Sequence, residues 1–144
     1  MSDLYEEDIV AWSERQAELL RRRADGALVN DADIDWPNVA EEIEDVGRSQ
    51  IDALESLITN ILGHTLKCEV WPNVRYVPHW QAEIRGWRRQ LRRKMRTGWR
   101  QRFNMADLYG DALAMLPPDM DGMPAHPVQP TCPVTLDELL SDRP

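Results

Sequence analysis

The stretch Asp35–Cys68, DWPNVAEEIEDVGRSQIDALESLITNILGHTLKC, decides the fold class. It begins with Asp35 and Pro37, a pair typical of a first helical turn, because proline is tolerated there and not in a helix interior. Apolar residues then recur at the spacing of one helix face. The residues of this stripe are Val39, Ile43, Val46, Leu54, Leu57, Ile58 and Ile61. The pattern predicts a long second helix, although Gly47 and Gly63 leave open a division into two helices in line.

The rest of the chain also has helical periodicity, and no strand-like alternation competes with it. The first helix is predicted from about Leu4 to Arg23 and the third from about His79 to Phe103. A fourth, shorter helix carries Met105, Leu108, Tyr109, Ala112 and Leu116. Asp3 and Glu6 have the spacing of a capping box for the first helix. Residues 117–134 form a proline-rich linker, and Thr135 with Glu138 predicts the cap of a short terminal helix. We therefore predict an all-α fold, a compact bundle of about four main helices plus a short C-terminal helix, in a single domain over residues 1–144.

Charge is distributed very unevenly along the chain, whose net charge is −8. Residues 1–63 carry −11, residues 64–103 carry +9 and residues 104–144 carry −6. Such asymmetry concerns surface potential and association rather than fold. An acidic N-terminus without an apolar stretch, and two isolated cysteines, predict a cytoplasmic protein with reduced thiols and no membrane span.

The basic segment contains a sorted set of arginines. If residues 84–103 are helical, six of them fall on one flank of the helix, whereas the opposite flank holds Gln90, Thr97 and Gln101. The six are Arg85, Arg89, Arg92, Arg93, Arg96 and Arg100. Guanidinium groups bind carboxylates or phosphates with two parallel hydrogen bonds, which lysine cannot do.

Three interpretations of this arginine set stay open. The arginines can pair with acidic residues of the same chain, which would help to fix the packing of the helices. They can bind a nucleic acid, with Trp87 and Trp99 available for stacking. They can also bind a partner protein, including a second copy of the chain that uses acidic and basic faces reciprocally.

Three polar residues fall within the predicted apolar stripes: Gln16, Gln50 and His64. Buried polar groups need hydrogen-bond partners, so these residues predict a polar cluster that specifies how the helices pair. A functional alternative is a pocket in which His64 acts as an acid or base, together with Glu42 or Glu44.

The sequence contains none of the motifs that identify a common cofactor or catalytic centre. His64 and Cys68 are four residues apart on one helix face and could bind a metal, but the sequence offers no convincing third and fourth ligands. A phosphate-binding glycine loop, GxSxG, HExxH and zinc-finger spacing are all missing. We therefore expect no metal and no cofactor, and we do not expect an enzyme.

Several segments taken together resemble the bacterial Domain of Unknown Function family twenty-nine. They include AWSERQAELLR at residues 11–21, VAEEIEDVGR at 39–48, LGHTLKCEVWP at 62–72 and CPVTLDELL at 132–140. The resemblance implies a compact helical bacterial protein and implies no activity or catalytic residue. One departure, RTGWRQRF at residues 96–103 where members often have a Pro-Ser-Leu break, leaves the end of the third helix open. The sequence favours a protein-interaction or regulatory module, with a nucleic-acid-associated protein and an enzyme centred on His64 as alternatives.

Overall fold

A computed structural model describes residues 3–142 and confirms the all-α prediction. The α-helices are α1 (Leu4–Glu7), α2 (Ile9–Ala24), α3 (Trp36–Val70), α4 (Val77–Lys94), α5 (Met105–Ala114) and α6 (Leu136–Leu140). Short 3₁₀-helices occupy Asp31–Asp33 and Thr97–Arg102, and the two-residue strands β1 (Asp119–Met120) and β2 (Met123–Pro124) form an antiparallel pair. The chain divides into a first compact unit that ends at Ser49 and a second that begins at Gln50. The expectation of a single domain over residues 1–144 stays a prediction.

The first helix was predicted as one element from Leu4 to Arg23, and this is wrong at its start. The backbone leaves the helical region at Asp8 (φ −153°, ψ 89°), whose carboxylate accepts hydrogen bonds from the N–H groups of Val10 and Ala11. Asp3 makes no side-chain cap hydrogen bond. Asp8 is the better cap because it satisfies two N–H groups at the start of the longer helix.

The core of the first unit is small and includes the buried polar residue Gln16. Trp12, Leu19, Ile34 and Val39 are buried together. The indole Nε1 of Trp12 donates to Asp35 Oδ2 at 3.0 Å, which fastens α2 to the start of α3.

The long second helix is confirmed as a single element. Helix α3 has 35 residues and is continuous through Gly47 and Gly63. At 1.5 Å per residue it is about 52 Å long. Pro37 occupies its first turn, as predicted. The division between the two units falls within this helix, after Ser49.

The second unit has the larger core, to which α3, α4, α5 and α6 all contribute. Its buried side chains include Leu54, Ile58, Leu91, Tyr109 and Leu139. A second buried group, Val70, Trp71, Val74 and Trp80, lies at the turn between α3 and α4.

The third helix ends earlier than predicted. Helix α4 ends at Lys94, Met95 and Arg96 are extended (ψ 136° and 143°), and a 3₁₀-helix follows from Thr97 to Arg102. Cations in the last turn stabilise the negative end of a helix, whereas Thr97 and Gly98 are poor helix formers. The prediction of a helix from His79 to Phe103 is therefore wrong beyond Lys94.

Hydrogen bonds connect the proline-rich segment over residues 117–134 to the rest of the second unit. Strands β1 and β2 are joined by Asp121 and Gly122, both with positive φ (51° and 80°), a conformation that glycine adopts without strain. Backbone carbonyls of this segment accept hydrogen bonds from Trp71 Nε1 and from Tyr109 Oη. Thr135 Oγ1 accepts from the Glu138 N–H at 3.2 Å, which confirms the predicted cap of α6.

No helix within residues 3–142 is both long enough and apolar enough to cross a bilayer.

Candidate functional site

The terminal helix α6 divides the arginines of the basic segment into two groups. Leu136 and Leu139 of α6 are buried in the core of the second unit. Arg88 donates to the carbonyl oxygens at the end of this helix: Nε to Leu139 at 3.2 Å, and Nη2 to Glu138 at 3.1 Å and to Ser141 at 2.9 Å. The last carbonyls of a helix lack the N–H groups of a following turn. One guanidinium therefore donates to three carbonyls, of which that of Glu138 also accepts from the Ser141 N–H at 3.3 Å.

Two members of the predicted arginine set also contact α6 or the residues that follow it. Arg92 Nε lies 3.1 Å from Asp142 Oδ1, and Arg92 Nη1 donates to the Ser141 carbonyl at 3.4 Å. Arg100 Nη1 lies 2.7 Å from Asp137 Oδ1. These arginines therefore bind the end of their own chain. Arg88 was not among the predicted residues, because its partners are backbone carbonyls that no side-chain pattern reveals.

The other four members of the set are exposed: Arg85, Arg89, Arg93 and Arg96. No carboxylate among residues 3–142 lies within 4.0 Å of their guanidinium nitrogens. Arg85, Arg89 and Arg93 follow each other at four-residue spacing along α4, which places them on one side of the helix. We call these three residues the cationic face.

The predicted flank of six arginines on one helix is therefore wrong in part. Arg96 lies in the extended segment after α4, and Arg100 lies in the 3₁₀-helix. Trp87 and Trp99, the predicted stacking residues, are half-buried and pack against the core.

A groove of about 550 Å³ runs between α3 and α5 in the second unit. Asp52 and Glu55 line it from α3, and Asp111 lines it from α5. Its apolar part includes Leu108 and Met115, and Met115 is 69% exposed. We call this the acidic groove.

The three polar residues predicted to form a buried cluster have different environments. Gln16 is 7% exposed; its amide accepts from the Asp35 N–H at 2.9 Å and donates to the Asp33 carbonyl at 3.3 Å. Gln16 is therefore buried and hydrogen-bonded, as its position in the stripe predicted. Gln50 is exposed, so the prediction that it is buried is wrong. Gln16 belongs to the first unit and His64 to the second.

His64 forms a small polar group with Glu83 and His79. Its Nε2 is 2.5 Å from Glu83 Oε2, and His79 Nε2 is 3.2 Å from the other oxygen of the same carboxylate. Trp87 covers the imidazole, with ring centroids 4.7 Å apart. Burial lowers the pKa of His64 and outweighs the opposing effect of the hydrogen bond to Glu83, while the charge of Lys67 lowers it further.

The carboxylates proposed to act with His64 have other partners in the first unit. Glu42 accepts a hydrogen bond from Tyr5 Oη at 2.7 Å, and this bond raises the pKa of Tyr5 to about 12. Glu44 lies 3.8 Å from Arg48. The pairing of His64 with either residue is therefore wrong, and its partner is Glu83 from α4.

The metal alternative at His64 and Cys68 gains no further ligand. Within residues 3–142, no group of three or more His, Cys, Asp or Glu side chains is arranged to hold a metal ion. Burial raises the pKa of the Cys68 thiol, which disfavours the thiolate that a metal would need.

These features define an all-α protein with a charged helical surface and a His–Glu pair packed between its helices. The sequence profile described as domain of unknown function DUF29 matches residues 4–143, and the chain belongs to this family. The fold resembles that of an alpha-helical protein of unknown function from Rhodospirillum rubrum ATCC 11170, with a TM-score of 0.63 and 22% sequence identity. The similarity covers 99% of this chain and 92% of that one. Among curated proteins, none matches this chain significantly.

Proposed function

We propose that this protein is a protein-interaction module that uses the cationic face of α4 to bind an acidic protein surface. The observation that supports the proposal is the division of the arginines. Arg88, Arg92 and Arg100 hold α6, whereas Arg85, Arg89 and Arg93 are exposed without a carboxylate partner among residues 3–142. Three guanidinium groups about 6 Å apart along one helix suit a surface that presents several carboxylates.

The surroundings of the cationic face favour a protein partner over a nucleic acid. Single-stranded nucleic acids are bound by cations combined with exposed aromatic rings, on which the bases stack. Trp87 is packed against the core and covers His64, so it offers no open ring beside the arginines. The net charge of −8 also opposes the approach of a polyanion, whereas it does not oppose a local contact with a few carboxylates.

The proposal can be tested by photo-crosslinking in the cells that naturally produce the protein. A photoreactive amino acid replaces Arg89 in one variant and Arg22 in a control, since Arg22 is an exposed arginine of the first unit. We expect position 89 to give a discrete protein adduct that is missing from the control.

Two results would count against this function. One is a variant at position 89 that gives no protein adduct, or the same adducts as position 22. The other is an adduct at position 89 that disappears on nuclease treatment, which would favour the nucleic-acid alternative.

A further inference from the structure

We infer that the partner of the cationic face is a second copy of this chain, whose acidic groove receives it. The inference rests on the proposed function and names the partner of the same surface. Both surfaces belong to the second unit, so each copy carries one of each.

The acidic groove has unpaired charge of the required sign. No cation among residues 3–142 lies within 4.0 Å of the carboxylates of Asp52, Glu55 and Asp111. Two of these carboxylates are on α3 and the third is on the opposite wall, on α5. Three carboxylates around a groove would repel each other less with cations between them, and the groove is wide enough to admit side chains from outside.

The two surfaces also correspond in length. The groove extends along α3 from Asp52 to Asn60, eight residues or about 12 Å. Arg85 and Arg93 are likewise eight residues apart on α4, which again gives about 12 Å. An α4 helix laid along the groove can therefore reach both ends of it with its arginines.

Small residues beside the arginines allow close contact. Ala82 and Gly86 are exposed on the same side of α4 as Arg89, and neither has a bulky side chain to keep the helix out of the groove. The apolar part of the groove presents Met115, which is 69% exposed. The methylene stems of the arginines can cover this side chain while their charged ends reach the carboxylates.

Charge also determines which surfaces can meet. Two cationic faces repel each other, and so do two acidic grooves, so only a face and a groove can form the contact. When two copies exchange these contacts reciprocally, both surfaces of both copies are used and the assembly closes as a dimer. The contact depends on exposed charges, so salt should weaken it.

Sedimentation of the full-length protein over a range of concentrations, at low and high salt, tests the inference with two charge-reversed variants. The first variant reverses the charge of the cationic face by Arg85→Glu, Arg89→Glu and Arg93→Glu. The second reverses the groove: Asp52→Lys, Glu55→Lys and Asp111→Lys. The control reverses three exposed arginines of the first unit: Arg15→Glu, Arg21→Glu and Arg22→Glu.

We expect the parent protein and the control to dimerise at low salt and to dissociate as salt rises. Each variant alone should dimerise at least about tenfold more weakly than the parent, because its face and groove carry the same sign. An equimolar mixture of the two variants should dimerise again, since every contact then joins opposite charges. Circular dichroism establishes that each variant keeps its helix content.

Several outcomes would overturn the inference: a parent that is monomeric under all conditions, a reversed variant that dimerises as the parent does, or a mixture that stays monomeric. A species larger than two copies would contradict the reciprocal arrangement. If the parent is monomeric but position 89 crosslinks to a different protein in cells, the proposed function stands and only the second-copy inference fails.

Discussion

Replacing Arg88 with methionine should release the terminal helix α6 while leaving the rest of the second unit folded. Methionine keeps the apolar stem of the side chain, so the change removes mainly the guanidinium. The three carbonyls of Leu139, Glu138 and Ser141 then lose the donor that binds them at 2.9–3.2 Å.

The size of the effect follows from the exposure of the site. A hydrogen bond to a charged group contributes about 1.5–3 kcal/mol when it is buried, and less where water can replace it. Arg88 is half-buried and one of its three bonds is exposed, so we estimate a total loss of about 1–3 kcal/mol. This corresponds to an increase of about 5- to 150-fold in the fraction of molecules with α6 detached.

Hydrogen exchange measures this fraction directly, because amides of a segment that opens locally exchange in proportion to its opening equilibrium. In the Arg88→Met variant, the hydrogen-bonded amides of Glu138, Leu139 and Ser141 should exchange about 5- to 150-fold faster, whereas those of α3 should change little. Arg93→Met is the matched control, since Arg93 is an exposed arginine of the same helix without a carboxylate partner among residues 3–142. Unchanged exchange in Arg88→Met, or equal acceleration in the control, would refute the role of Arg88.

Three further predictions concern stability. Gln16→Leu should cost about 1–3 kcal/mol in urea denaturation, because it leaves two backbone groups without their partner; a cost near zero would contradict this. Ile58→Ala should cost about 2–5 kcal/mol, because Ile58 is fully buried, whereas Ile43→Ala on the same helix should cost little, because Ile43 is 67% exposed; equal costs would show that the burial pattern is wrong. The pKa of His64 is held below 6.5, so below neutral pH the unfolded chain binds a proton that the folded chain does not. The free energy of unfolding should therefore fall as pH falls through 6.5, and this group contributes at most about 1.4 kcal/mol per pH unit. In denaturation measured from about pH 7.5 to about 5.5, His64→Gln should remove this contribution to the slope.

The sequence predicted the helices best where periodicity and end signals agree. Helix α3 has the predicted proline in its first turn. Of its predicted apolar stripe, Val39, Leu54, Ile58 and Ile61 are buried, whereas Ile43 and Val46 are each 67% exposed, so the stripe is wrong at these two positions. Gly47 and Gly63 left the continuity of α3 open, because each glycine lowers the stability of a helix by only about 1 kcal/mol. Packing on either side of Gly63, by Ile61, Leu62 and Leu66, outweighs that cost.

The predicted helix ends were wrong in two situations. In one, two residues could cap the same helix, and in the other a helix ended although no proline marked its end. Both Asp3 and Asp8 are good capping residues, and the sequence does not show which one will find two free N–H groups. After Lys94, Met95 and Trp99 stay in contact with the core although the backbone is no longer α-helical. A helical pattern of apolar residues therefore continued past the end of the helix itself.

The sequence predicted the region of the candidate site. It did not predict which of its arginines bind α6 and which are exposed. Arginine content and helical spacing identified α4, and three of the six predicted members form the cationic face. The distinction between Arg89 and Arg92 depends on where residues 136–142 pack, and local periodicity contains no information about a contact made some fifty residues away. The same is true of His64, whose partner Glu83 could only be found once α3 and α4 were paired.

Contact with the terminal segment also explains why the arginines differ in conformational freedom. A guanidinium that binds three carbonyls is held in place by directional bonds, and its charge is directed at the end of α6. One that has no partner keeps its full conformational freedom, which it must lose on binding. Arg85, Arg89 and Arg93 lie on a helix whose buried face is fixed by Trp80 and Leu91, so only their side chains need to become ordered. We therefore expect the proposed contact to be weak and reversible, and its affinity should respond to salt far more than the attachment of α6 does.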